Sequence, residues 1–330
     1  MSFFIRRIGL YIRLFWTHLV SFIFPTLDET RYSNLGKTYF DLEIFRKAIP
    51  AFEKSEESHD RLDLNFSRYN WYHLGFCYLN LGDFKNAADY FEKYLKLRRD
   101  DTVVLGLAGW CYGLLDEFEL ALEHYGKALK LEPDLFPLHL EYSTILSLLN
   151  RKEDALEQLS KAELHVENPV EKEFIDALAL KIRGDLPGAI EKIKEVVTKS
   201  DGGLYHTDLL PDVDPVIALA KLQREIGDSE ECLSTLEYAF KEHPNDFFLG
   251  NELAFEYAEQ NTNLDKGLKL AEQAISYQPD NSLFLDTKGW VLFKMGRKED
   301  AVDHIQKALN LNPQQAQVNE HLQTVLDSSP

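Results

Sequence analysis

The chain has 330 residues, 45% apolar and 28% charged, a composition that supplies a core and excludes wholesale disorder. That length fits two domains or one elongated array. Thirty-six Lys and Arg against 55 Asp and Glu give a net charge of −19, which repels phosphate and argues against any nucleic-acid partner.

Residues 1–28 form a separate N-terminal segment. Its first 24 residues carry Arg6, Arg7 and Arg13 and no acid, a charge of +3 that leaves −22 for the remainder. At helical spacing, Phe4, Ile8, Tyr11, Ile12, Phe15, Trp16, Leu19 and Phe22 share one broad face, with the arginines, Thr17 and Ser21 opposite and Pro25 ending the run. A basic face opposite an aromatic face suits an interfacial membrane helix. Arg6, Arg7 and Arg13 would meet anionic headgroups while Phe15, Trp16 and Phe22 sink among acyl chains. Two other readings stand beside it. One is an uncleaved anchor or signal segment, with Leu14–Phe24 too short to span a bilayer. The other is a helix packed on the rest of the chain.

From residue 29 onward the sequence repeats. Trp71, Leu74, Gly75 and Tyr78, then Ala87 and Phe91, are followed 34 residues later by Leu105, Ala108, Gly109 and Tyr112, then Ala121 and Tyr125. Further copies hold His139, Tyr142 and Ser143, then Ala155 and Leu159; and Asp176, Ala177 and Leu180, then Ala189 and Ile193. An earlier copy has Leu35, Gly36 and Tyr39, then Ala48 and Phe52. Three later copies centre on Leu219 and Cys232, on Tyr257 and Ala271, and on Gly289 and Ala301. Each unit reads as two amphipathic helices. Gly82, Gly184, Gly227 and Gly296 break the pair, and Pro133, Pro244, Pro279 and Pro313 close units. Insertions at 63–67 and 204–212 interrupt the period, the second serving as a hinge or a longer loop. The expected organisation is 29–203 as a first array of about five units, 204–212 as the insertion, 213–315 as a second array of about three, and 316–330 as a C-terminal cap and tail. In the cap, Val318, Leu322, Val325 and Leu326 share one face.

The pattern Trp-x2-Leu-Gly-x2-Tyr, then Ala-x3-Phe, then Pro resembles the tetratricopeptide repeat family. The resemblance covers about 29–315 and implies an all-α, right-handed superhelical solenoid with a concave groove. It further implies that first-helix residues between the packing positions face that groove: Tyr69, Tyr72, Phe76 and Leu79, then Val103 and Trp110, then Leu140 and Thr144, then Phe174 and Leu178. So apolar a strip suits a peptide or amphipathic helix of another protein. The competing reading is a coil tight enough to bury the strip within the chain. Some members of the family clamp a chaperone's C-terminal carboxylate with Lys and Asn at these positions; here those positions are aromatic or aliphatic, so the clamp does not carry over. Distal groove positions are more polar, namely Asp214, Lys221, Arg224, Asn251, Asp286 and Lys294, and read as a solvated groove, with binding of something else as the alternative.

No Gly-rich phosphate loop, nucleophile elbow or His-Glu-x-x-His helix occurs. The ten histidines are scattered, and His73 with Cys77 makes at most half a metal site, His73 reading instead as lying on an inter-helix or groove surface. Cys77, Cys111 and Cys232 are too far apart for a disulfide framework or zinc site and read as small buried side chains. Acid pairs such as Glu56–Glu57, Asp100–Asp101 and Glu230–Glu231 fall near helix ends and read as solvated charge. The expectation is therefore a non-catalytic interaction scaffold with no cofactor, metal or small-molecule site, peripheral to a membrane on the cytoplasmic side. The alternative localisation is a membrane anchor with the solenoid on the far side. The alternative function is a self-assembling solenoid whose N-terminal helix docks in its own or a neighbour's groove.

Overall fold

The computed structural model describes residues 31–58, 64–199 and 214–328. Among them are seventeen α-helices and no strand. Eight antiparallel pairs follow one another: α1 (Arg31–Asp41) with α2 (Phe45–Ser58), α3 (Leu64–Leu81) with α4 (Phe84–Leu95), α5 (Thr102–Leu114) with α6 (Phe118–Leu131), and α7 (Phe136–Leu148) with α8 (Lys152–Leu164). Then come α9 (Pro169–Arg183) with α10 (Leu186–Lys199), α11 (Pro215–Glu225) with α12 (Ser229–Glu242), α13 (Phe247–Glu259) with α14 (Leu264–Tyr277), and α15 (Ser282–Lys294) with α16 (Lys298–Leu311). A single helix, α17 (Ala316–Asp327), caps the stack. Each helix packs on its pair mate and on the next pair, which is the contact pattern of a solenoid. The insertion expected at 63–67 is largely an extension of α3, whose first turn begins at Leu64. The insertion at 204–212 lies outside the described residues, as do residues 1–28. The core nevertheless continues from α10 to α11, since Ile193 and Val196 share a cluster with Ala218, Leu219 and Leu222.

Short acidic or amide side chains start many of the helices. Asp83, Asp101, Asn168, Asp214, Asp228, Asp246 and Asn281 each accept a backbone N–H of the first turn. The turn inside every pair contains a residue with positive φ, namely Glu43, Gly82, Asp116, Asn150, Gly184, Gly227, Asn261 and Gly296, and the turn between α13 and α14 holds a second, Asn263. A left-handed residue ends the first helix and reverses the chain. Within the pairs, glycine admits a large ring from the second helix. A Cβ on Gly75 would lie 2.5 Å from Phe91, and one on Gly109 2.6 Å from Tyr125. The alanines opposite, Ala87, Ala121, Ala155, Ala189 and Ala301, are fully buried for the same reason of close approach.

A buried polar pin ties the first three helices together. Ser33 donates to Asn70 Oδ1 at 3.1 Å, and Asn70 Nδ2 donates to Ser55 Oγ at 3.2 Å. Beside it, Glu56 departs from the solvated charge expected of it. Burial pushes its carboxyl up to about 7, against the opposing effects of nearby Lys93 and a hydrogen bond from the Trp71 side chain, with Glu53 adding repulsion. The folded state thus holds a proton that the unfolded chain has already lost above pH 4.5, so stability falls as pH rises from there through about 7. Glu56→Gln is expected to remove that slope. It should raise stability at pH 8 by about 1–2 kcal/mol once solvent screening of this half-buried group is allowed for. Urea titrations of both chains at pH 5 and pH 8 measure this directly.

The stack coils far enough to meet itself. The link between α14 and α15 returns to the C-terminal end of α3. There the Asp280 N–H donates to Leu81 O at 2.9 Å, and Gln278 Nε2 reaches Leu79 O at 3.5 Å. One repeat further along both edges, Asn312 Nδ2 donates to Leu114 O at 3.2 Å, at the end of α5. On the rim, Arg46 Nη2 lies 3.1 Å from both carboxylate oxygens of Asp280. The carbonyls of a helix's last turn have no partner within the helix, and here residues about two hundred positions away supply one. Gln278, Asn281 and Asn312 are buried along this seam.

Candidate functional site

The residues expected to face the groove separate into two groups. Tyr69 is 39% exposed, and Val103, its counterpart one repeat on, is 60% exposed; Tyr72 and Phe76 are half-buried. These stand one turn apart along α3, with Tyr72 and Phe76 rings 4.8 Å apart. They lean on a nest of rings. Tyr72 packs on Tyr94 at 5.5 Å, Phe76 stands edge-on to Phe91 at 5.6 Å, and Tyr69 lies 4.2 Å from the His73 ring. His73 Nδ1 donates to the Tyr69 carbonyl at 2.8 Å, and burial beneath Phe40 and Phe52 lowers its pKa. The ring therefore serves as an apolar support. Burial and the nearby Asp101 carboxylate raise the Tyr72 phenol. Asp101 itself caps α5 and accepts the Tyr94 hydroxyl at 2.7 Å.

Leu79, Trp110 and Phe174 belong to the second group and correct the expectation made for them. They are 7%, 5% and 3% exposed, inside core clusters, and offer no surface in this conformation. Leu79 and Trp110 occupy the last turns of α3 and α5, beside the seam, and Trp110 is packed edge-on to Phe84 at 5.6 Å. Leu140 is buried likewise. Neighbouring helices account for the difference: α3–α6 bury Leu79 and Trp110, and α9–α11 bury Phe174. The membrane candidates Arg6, Arg7, Arg13, Phe15, Trp16 and Phe22 lie outside the described residues.

The distal polar positions are also not a solvated groove. Asp214 is buried as the cap of α11, and Asn251 is buried. Arg224 Nε donates to Glu256 at 2.8 Å and its guanidinium lies 4.9 Å from the Phe255 ring centre. Asp286 is buried and accepts from His321 Nδ1 of the cap helix at 2.8 Å, and His321 stacks on Trp290 at 4.1 Å. Lys294 lies over the other part of that system, 4.8 Å from the Trp290 ring centre, and Trp290 Nε1 donates to Glu259 at 2.7 Å. This column closes the end of the stack. The periodic pattern points to Val318, Leu322, Val325 and Leu326 as the cap's inner face; in the structure Leu326 is half exposed and His321 is inside.

Cys77, Cys111 and Cys232 are buried free thiols, all pushed up by burial. No group of three or more His, Cys, Asp or Glu suited to a metal ion occurs among the described residues. No helix among them is long and apolar enough to cross a membrane.

Paired helices stacked with a left-handed residue in the turn of each pair, and a polar end cap, define a helical-repeat solenoid. Sequence profiles described as tetratricopeptide repeat match residues 70–101, 104–135 and 282–315, which are the second, third and eighth pairs. The chain thus contains tetratricopeptide repeats. A TPR repeat-containing protein of Pseudomonas aeruginosa is 25% identical to it over 183 residues, covering 54% of this chain and 29% of that protein. The chain thus matches less than a third of that relative's length. Similar solved structures include a tetratricopeptide repeat protein from Parabacteroides merdae, at 15% identity over 79% of this chain and 99% of that one, with a TM-score of 0.46. A thermophilic TPR protein of Thermus thermophilus is 20% identical over 58% of this chain and 98% of its own, with a TM-score of 0.44. The Cut9–Hcn1 hetero-tetramer of APC/C contains a chain 12% identical over 94% of this one and 59% of its own, with a TM-score of 0.45. Tetratricopeptide repeats in general mediate protein–protein interaction, and proteins built of them are in general non-catalytic scaffolds.

Proposed function

We propose that the chain is a scaffold that holds a peptide or amphipathic helix of another protein against Tyr69, Tyr72, Phe76 and Val103. We propose further that residues 1–24 attach it to an anionic membrane surface. The observation that carries the first part is the exposure of Tyr69 above a nest of packed rings, with Val103 exposed one repeat on. Supported aromatic side chains lose little freedom on binding and dominate interface energies. Tyr69→Ala and Tyr72→Ala are each expected to weaken partner binding about tenfold or more while leaving the helical circular dichroism unchanged. Titration of the labelled partner by fluorescence anisotropy measures this, and unchanged affinity in both variants would remove the strip from the interface.

The membrane part rests on the +3 charge and aromatic face of residues 1–24. Sedimentation with vesicles of phosphatidylcholine alone, or mixed with phosphatidylserine, tests it. The full chain should pellet with the anionic vesicles and release at high salt, while a chain starting at Leu27 should stay in the supernatant. Equal behaviour of the two chains would leave residues 1–24 without a lipid role.

A further inference from the structure

We propose that, away from a membrane, residues 1–24 lie over Tyr69, Tyr72 and Val103 of their own chain, and that an anionic bilayer draws them off and opens the strip. The inference rests on the binding and membrane readings given above and supplies the link between them.

Three observations carry it. The first is where the chain enters the stack. The described residues begin with α1 at Arg31, and Ser33 Oγ donates to Asn70 Oδ1 at 3.1 Å, one residue past Tyr69. Further along the same two helices, the Phe40 ring lies 4.9 Å from that of His73. Contacts in the same order mean that α1 and α3 run in the same direction, so the start of α1 is level with Tyr69. Tyr69 also sits on the α1 side of α3, its ring 4.2 Å from His73, which Phe40 and Phe52 flank. The chain thus arrives beside the exposed edge of Tyr69.

The second is reach. Only residues 25–30 separate the segment from Arg31, and six extended residues span roughly 20 Å. Adjacent helix axes lie about 8–10 Å apart, so Tyr69 on α3 and Val103 on α5 both fall within that radius. Phe15, Trp16, Leu19 and Phe22 crowd the end of the segment nearest this linker.

The third is chemical fit. Tyr69 and Val103 are exposed apolar surface, and the segment offers aromatic and aliphatic side chains on one face at helical spacing. Its charge of +3, with no acid, is attracted by the −22 of the remainder. The face that fits the strip is the face that would enter a bilayer, so the segment serves one surface at a time.

Tethering sets the strength. A short linker holds the segment at about millimolar effective concentration. A contact with an intrinsic Kd of about 0.1 mM then closes the strip in roughly nine chains of ten and weakens a competitor about tenfold. The coupling is reciprocal, so a partner on the strip raises the affinity of the chain for the bilayer by the same factor.

Full-length Val103→Cys supplies the test, because Cys77, Cys111 and Cys232 are fully buried and leave the introduced thiol as the accessible one. Its alkylation by iodoacetamide is timed by mass spectrometry without lipid, with phosphatidylcholine vesicles, and with vesicles containing phosphatidylserine. The same series is run with Phe15→Ser and Trp16→Ser added. Without lipid, the two serine substitutions should speed alkylation about fivefold or more. In the chain that keeps Phe15 and Trp16, phosphatidylserine vesicles should give the same acceleration and phosphatidylcholine alone none. Equal rates in the two chains without lipid would refute the cover. Pelleting with anionic vesicles without faster alkylation would refute the release while leaving membrane attachment in place. A second measurement places the segment. Phe15 is replaced by p-benzoylphenylalanine in the full chain, which is irradiated in dilute solution. A cross-link to α3 or α5 within a product the mass of one chain is expected. A product the mass of two chains alone would put the segment on a neighbour's strip and refute the intramolecular form. Partner binding at Tyr69 is read separately by the anisotropy titration above and stands or falls on its own.

Discussion

Trp110→Ala should destabilise the third repeat by about 3–5 kcal/mol, the range for truncating a large aromatic side chain in a packed interior. From the repeat pattern alone, position 110 is a groove contact and the substitution would spare the fold. Its burial against Phe84 inside the cluster built by α3–α6 reverses that expectation. Because a solenoid's stability is a sum of repeats and their neighbour interfaces, the loss should be regional. Hydrogen exchange should quicken in α4–α6 first, with α13–α16 less affected, and the urea midpoint should fall. A variant with wild-type midpoint and lost partner binding would return Trp110 to the groove.

The second large effect lies at the other end. His321→Ala leaves the Asp286 carboxylate buried without its hydrogen-bond donor, and breaking a buried pair from one side costs about 3–5 kcal/mol. Burial already raises Asp286 above the usual carboxylate range, and the hydrogen bond from His321 is what opposes this. Removing the imidazole pushes the carboxyl further up. A group with a raised folded pKa favours the folded state below that value, so the variant should be weakest at neutral and alkaline pH and recover on acidification. Adding Asp286→Asn to His321→Ala should recover much of the loss at pH 8, because the amide carries no charge to strand. Thermal unfolding of the three chains at pH 5 and pH 8 measures both effects. An equal loss at the two pH values would mean that His321 matters for its stacking on Trp290 and not for its bond to Asp286.

The architecture was legible because its causes are local. A 34-residue step, glycine facing a large ring within each pair, and alanine opposite are all consequences of how two helices touch, and each can be read from a few residues. Four of the eight left-handed turns could be read from Gly82, Gly184, Gly227 and Gly296. Asn150, Asn261, Asp116 and Glu43 occupy the same position without the residue that signals it most strongly. The strip was legible in part. Tyr69, Tyr72 and Phe76 follow from spacing on one helix, but the burial of Leu79, Trp110 and Phe174 depends on how neighbouring helices pack over them. Coiling accumulates from small rotations at every interface, and a contact such as Asn312 with Leu114, 198 positions apart, leaves no trace in any one repeat. The distal acids and amides were misread for a related reason. Asp286 looks like a solvated groove residue until the cap helix places His321 against it.

Binding through the open aromatic rim is tested most directly by replacing Tyr69 with the photoreactive amino acid p-benzoylphenylalanine in the full-length chain and irradiating intact cells. The reference chain carries the same residue at Leu164, a highly exposed position on α8. A discrete cross-linked species formed from position 69, absent from position 164 and abolished by adding Tyr72→Ala and Phe76→Ala, is the expected result. The same species from both positions, or one from position 69 that survives those two substitutions, would contradict it.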